Sequence, residues 1–289
     1  MPDGLGQTET GMRTGSFLRT ATLGLGLILG TYTAASAGTL PFTWNPSATG
    51  DSSVGAFTAD RFDLSDYAAI TVPSNPAPAG SVSETGYLFP TVFRNGTAVT
   101  STANLTAGTW GIYESFTATS HLTPCSGGFC GSFDSITASV YVYSTAHGVA
   151  SVTFSAGVPI LHLPSAASPK LIASETGPIG GSPNTATIQD GVPGASVDTL
   201  FTPTTTYPGF FVNPPDTQAL DLEQAFINTT GVTRYYPAGC ATNMTYPCIY
   251  EIDSGGGNGN FFTVPEPASI GVFAMSLAAL GFIRRRRKA

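Results

Sequence analysis

Apolar and polar positions alternate along much of this 289-residue chain in short runs broken by Gly, Pro, Asn and Asp, the two-residue period of β-strands. In one such run Trp110, Ile112, Glu114 and Phe116 share a face, and Gly111, Tyr113, Ser115 and Thr117 share the other. Ile136, Ala138, Val140 and Val142 alternate with Thr137, Ser139, Tyr141 and Tyr143, and the spacing predicts a hairpin that turns at His147-Gly148 into 149–154. Residues 87–94 and 97–100 flank Asn95-Gly96, the favoured type I′ pair, and predict a second hairpin. Further strands are expected over 158–163, 171–175, 199–202, 209–212 and 249–253. Residues 217–227 place Leu220, Leu222, Phe226 and Ile227 in a pattern compatible with helix or strand and are assigned to a strand. Segments 73–78 and 174–193 are rich in Gly, Pro and Ser and read as loops. Roughly ten strands with no βα alternation predict an all-β fold, an antiparallel sandwich or jelly roll over 38–254. The glycine-rich stretch 255–263 reads as a flexible tether.

The two ends break the pattern. Met12-Arg13 and Arg19 precede an apolar run over 23–29 and then Ala35-Ser36-Ala37, which together fit a secretory signal peptide over 1–37 cleaved after Ala37. The acidic and polar residues before Met12 suit no n-region, so Met12 is the better start. At the other end Val264-Pro265-Glu266-Pro267 precede 268–283, which carry no charge, and then Arg284, Arg285, Arg286, Arg287 and Lys288. As a helix, 268–283 would be about 24 Å long, enough for a membrane span if flanking side chains snorkel. The basic cluster would hold the end on the cytoplasmic side and leave the preceding domain outside.

These tail residues resemble the PEP-CTERM sorting signal of Gram-negative bacteria. The resemblance implies an exosortase as partner, a membrane cysteine protease that cuts near the Pro-Glu-Pro motif. It also implies a transient inner-membrane anchor through the C-terminal span, and delivery to the cell surface or extracellular matrix.

Charged residues make up 10% of the chain, against roughly 25% in ordinary soluble domains. Between the two ends four basic residues face fifteen acidic ones, a net of −11. Such a surface repels phosphate backbones and argues against nucleic acid as a partner. Four cysteines fall in two local groups, Cys125 with Cys130 and Cys240 with Cys248. Export favours disulfides; three connectivities are possible, and local pairing is preferred.

Candidate chemistry is sparse. The chain has no G-x-S-x-G, H-E-x-x-H or Walker loop, and His121, His147 and His162 are scattered. Asp60, Asp63 and Asp66 could converge on Ca²⁺ only if their segment turned helically, since a strand would put Asp63 on the opposite face. Trp44, Trp110 and several tyrosines could form a sugar platform, with core packing as the default. No cofactor and no catalytic residue is assigned, and the expectation is a protein that is not an enzyme.

Phe57-Thr58-Ala59-Asp60-Arg61-Phe62-Asp63-Leu64-Ser65-Asp66-Tyr67-Ala68, Ser83-Glu84-Thr85-Gly86-Tyr87-Leu88 and Ala225-Phe226-Ile227-Asn228-Thr229 are similar to phrases of the flocculation-associated PEP-CTERM proteins. That resemblance implies a structural or adhesive role with exopolysaccharide in flocs or biofilm. The alternative is a secreted carbohydrate-binding module or a glycan-acting hydrolase.

Overall fold

Period-two alternation places one apolar face on each strand, and burying those faces organises the molecule. The computed structural model describes residues 39–262 apart from 51, 76, 106–109, 181–183, 190–191, 214–219, 228–233 and 241–244. The expected signal peptide (1–37) and sorting tail (264–289) lie outside the described residues.

In chain order the strands begin with β1 (Phe42–Trp44), β2 (Phe57–Ala59), β3 (Arg61–Val72), β4 (Ala77–Asn95), β5 (Ala98–Thr102) and β6 (Trp110–Cys125). They continue with β7 (Gly128–Ser144), β8 (Ser151–Ser155), β9 (Val158–His162), β10 (Lys170–Gly177) and β11 (Asn184–Gln189). The last are β12 (Val192–Pro203), β13 (Phe211–Val212), β14 (Leu220–Ile227), β15 (Arg234–Tyr236) and β16 (Cys248–Phe262). A 3₁₀ turn at Pro46–Thr49 follows β1.

The antiparallel all-β organisation is as expected, but the strands do not separate into two stacked sheets. β3, β4, β6 and β7 pair in succession, and β7 then pairs with β10 along one stretch and β11 along another. Both of these pair with β12, which pairs with β14, then β16, which returns to β3. With β10 and β11 in series at one position, the ladder closes as a ring of eight antiparallel positions, a barrel. Closure removes the sheet edges that a sandwich would have to protect.

Inside, two apolar clusters are stacked along the barrel. One is dominated by aromatic rings: Trp44, Phe93, Trp110, Phe201 and Phe261 are each at most 2% exposed. The small sheet of β13, β1 and β2 contributes Phe42, Trp44 and Phe211 to this plug. Burial of rings of this size stabilises by about 1.5–3 kcal/mol each. The other cluster holds Ile70, Val72, Leu122, Ile188, Val197 and Ile252.

Several local expectations are corrected. β7 does not fold back on 149–154; β8 pairs with β9 instead, through an Ala156-Gly157 turn with φ of 51° and 83°. That hairpin lies on tyrosines outside the barrel, where Val152 and Leu161 pack. Asn95 pairs with Ala98, so the β4–β5 turn is Gly96-Thr97 with Gly96 at φ 60°, a glycine-first turn one residue later than expected. Segment 174–193 is largely strand, in β10, β11 and the start of β12. Residues 220–227 form a strand as assigned.

The glycine run is not a tether, since residues 255–262 continue β16 between β3 and β14. The glycines serve packing here: a Cβ on Gly259 would lie 2.4 Å from the Phe62 ring. The strand therefore runs past the boundary expected at 254, as far as Phe262.

Candidate functional site

The outward positions of β4, β6, β7 and β10 form a regular hydroxyl array. Register aligns Thr85, Thr117, Thr137 and Thr176 in one row across the four strands, all exposed. A neighbouring row runs Tyr87, Ser115, Ser139 and Ser174, and a third runs Ser83, Thr119 and Ser135. Rows lie about 7 Å apart along the strands, with about 4.8 Å between strands. Thr117 and Thr137 are 3.0 Å apart, and Thr119 and Ser135 are 2.7 Å apart, each pair through its hydroxyl oxygens. At one margin Asp134 accepts from the Gly80 N–H at 2.7 Å and meets His121 at 2.9 Å.

At the opposite margin lies a tyrosine group. Tyr113 stacks on Tyr141 at 5.1 Å and meets Tyr87 edge-on at 6.4 Å. Tyr67, Tyr87 and Tyr141 remain half-buried, whereas Tyr113 and Tyr143 are buried under the β8–β9 hairpin. Burial pushes the Tyr113 phenol up to about 12, and Tyr141, Tyr87 and Tyr143 add to the effect. The Tyr143 hydroxyl donates to Asn104 Oδ1 at 2.8 Å and accepts from the Ala150 N–H at 3.0 Å. Asn104 also donates to the Pro90 and Ile112 carbonyls, bridging β4 and β6.

The inner face carries a second feature, a polar belt between the two apolar clusters. Asp66 of β3, Glu84 of β4, Glu114 of β6, Glu175 of β10, Thr199 of β12 and Gln224 of β14 all occupy inward positions. Glu114, Glu175 and Asp66 are each at most 3% exposed. Gln224 donates to Glu114 at 3.3 Å and to Glu175 at 3.2 Å, and Thr199 donates to Glu175 at 3.0 Å. Burial, with Asp66 adding to it, pushes the Glu84 carboxyl up to about 8. Burial raises Glu175 to about 7 against the lowering hydrogen bonds from Thr199 and Glu114. Glu114 stands well above the usual range, first through burial and then through Glu175, to which it donates.

Bordering this belt is a cavity that is partly open to solvent. Asp66, Glu84, Glu114 and Gln224 line its polar side, and Phe116, Leu122, Phe133 and Ile136 are among its apolar walls. No Lys, Arg or His is among the described residues that line it.

Residues 263–288 match the family model of the PEP-CTERM protein-sorting motif. The chain carries the PEP-CTERM sorting motif. The motif implies an exported protein with exosortase as its processing partner. The match covers the tail, which contains Val264, Pro265, Glu266, Pro267 and the arginines 284–287. No curated protein and no solved structure matches the chain.

Elsewhere in the chain the expected site residues fall as follows. Cys125 is bonded to Cys130 and Cys240 to Cys248, the local pairing, with Cα separations of 5.8 and 5.5 Å. Asp60, Asp63 and Asp66 do not converge. Asp60 meets Arg61 and the Gly96 N–H, Asp63 pairs with Arg94 at 2.8 Å on the outside, and Asp66 points inward. The strand period separates them, and no three His, Cys, Asp or Glu among the described residues are arranged to hold a metal ion.

Trp44 and Trp110 are 2% and 1% exposed and serve the core rather than a sugar platform. His121 sits at the rim of the array, His162 bonds Thr153 at 2.8 Å and His147 lies in an exposed turn. The carboxyl belt was missed because Glu114 reads as one polar residue in an apolar run and Glu175 fell where the strand expected over 171–175 overlaps a segment read as loop. An acid at an inward position of an alternating strand was the available signal.

Proposed function

We propose that this protein is a non-enzymatic component of the cell surface or extracellular matrix of a Gram-negative bacterium, holding neutral exopolysaccharide against its hydroxyl face. The observation that carries the reading is the exposed row Thr85, Thr117, Thr137 and Thr176 with its Ser and Tyr neighbours. Each hydroxyl both donates and accepts, as sugar hydroxyls do, and Tyr87 and Tyr141 offer ring faces to sugar C–H groups. The rows carry no charge, so the face suits an uncharged polymer. Individually weak contacts sum along a repeating chain by multivalency. A role in flocs or biofilm is what the resemblance of 57–68 and 83–88 to flocculation-associated proteins would imply.

A hydrolase is less well supported. Glu114 and Glu175 are each at most 3% exposed and both accept from the Gln224 amide, an arrangement that leaves little room between them for the sugar and water that a glycosidase must admit.

Co-sedimentation of the exported protein with the producing strain's purified exopolysaccharide tests the reading. The double substitution Thr117→Val, Thr137→Val keeps branched side chains on the strands and removes two hydroxyls. Binding should weaken by about thirtyfold, from roughly 1 kcal/mol for each of the two hydrogen bonds lost. Unchanged binding, or a deletion strain that flocculates like its parent, contradicts the proposal.

A further inference from the structure

We propose that the barrel cavity is a binding site for a small organic cation with an apolar body, an alkylammonium or arylammonium compound whose charged head lies among Asp66, Glu84 and Glu114. The reasoning starts from what surrounds the space. Three carboxyl side chains from adjacent strands β3, β4 and β6 share one side of the cavity, and Glu175 stands behind Glu114. The remaining polar groups there, Gln224, Ser120 and Thr187, are uncharged. The described lining residues include no Lys, Arg or His, so a positively charged head would meet no like charge there.

The other walls decide the rest of the ligand. Phe116, Leu122, Phe133, Ile136 and Ile188 are apolar and come from three strands, a surface that favours hydrocarbon over a hydrated ion. A bare metal ion fits poorly, because the described acids are not arranged as a ligand set. An anion would face the three carboxyl side chains and, among the described lining residues, no Lys, Arg or His.

Burial leaves Glu84 near 8, so at neutral pH its carboxyl is largely protonated in the empty cavity. An ammonium head stabilises the ionised form, so binding at pH 7 should release about one proton. The site lies inside the barrel, apart from the hydroxyl face, and does not rest on the polysaccharide reading.

The test is calorimetric titration of the intact exported protein at pH 7 with octylammonium, octanol and octanoate, run in two buffers of different ionisation enthalpy. Octylammonium should bind at least about tenfold more tightly than octanol, as desolvated charge pairs do, and octanoate should not bind. The difference between buffers should report proton release for octylammonium alone. Glu84→Gln and Glu114→Gln, each checked for folding by urea titration, should each reduce the preference for octylammonium while octanol binding stays. Equal affinity for octylammonium and octanol, an undiminished preference in both variants, or no binding of octylammonium overturns the proposal.

Discussion

Raising the pH from 4.5 to 9 should destabilise the barrel, with the carboxyl belt as the cause. Folding moves Glu84 from 4.5 to about 8 and Glu175 from 4.5 to about 7. Between those limits the folded chain keeps protons that the unfolded chain has already lost, so stability falls as pH rises. Below about 4.5 both states are protonated and the fold has its full stability. At about 1.4 kcal/mol per tenfold change in proton affinity, ionising Glu84 costs on the order of 5 kcal/mol and Glu175 on the order of 3 kcal/mol. Asp221, raised from 3.8 to about 6 by burial and then by Asp198 and Glu223, adds in the same direction. Water reaching Glu84 through the cavity screens part of this, leaving an expected loss of about 3–6 kcal/mol. The assay is urea unfolding followed by tryptophan fluorescence at pH 4.5, 6, 7.5 and 9, with the disulfides intact. Glu84→Gln separates the belt from general repulsion among surface acids, because it should flatten the curve between pH 6 and 9. A midpoint that is constant or rises with pH, or a Glu84→Gln curve parallel to the parent's, would refute the reasoning.

Two further outcomes are expected. In Gly111→Ala the new Cβ would lie 2.1 Å from the Tyr143 ring, displacing it from Asn104 and from the Ala150 N–H and loosening the β8–β9 hairpin. A loss of about 2–4 kcal/mol in urea and faster proteolysis between residues 145 and 168 should follow. Replacing Glu266 with Ala, or deleting 284–288, should leave the precursor in the membrane fraction, detected by immunoblot, because the sorting motif implies that exosortase processes that tail.

The strand content was legible because alternation is a local property: 110–117 and 136–143 each lie within a strand of the structure. Closure was not legible, since it depends on β12 finding β14 and β16 finding β3, pairings between residues far apart in sequence. Composition misled at two places. Glycines at 255–259 suggested a flexible link, yet Gly259 is small because Phe62 occupies the space beside it. The Pro- and Gly-rich stretch 174–193 suggested a loop, yet Glu175 and Ile188 both face inward there. The hydroxyl array was hidden for a related reason. Thr117, Thr137 and Thr176 look like ordinary strand residues until register sets them side by side. The sorting tail was legible because its signal is linear, a motif, an uncharged stretch and a basic end in order.

Hydroxyl-radical footprinting of the exported protein within its own matrix, compared with the same protein stripped of polysaccharide, tests the central claim most directly. Tyr87 and Tyr141, half-buried at the margin of the array, should be protected in the matrix, while Tyr236, 46% exposed and away from that face, should react equally in both samples. Equal labelling of Tyr87 and Tyr141 in the two samples, or protection confined to Tyr236, would contradict the account.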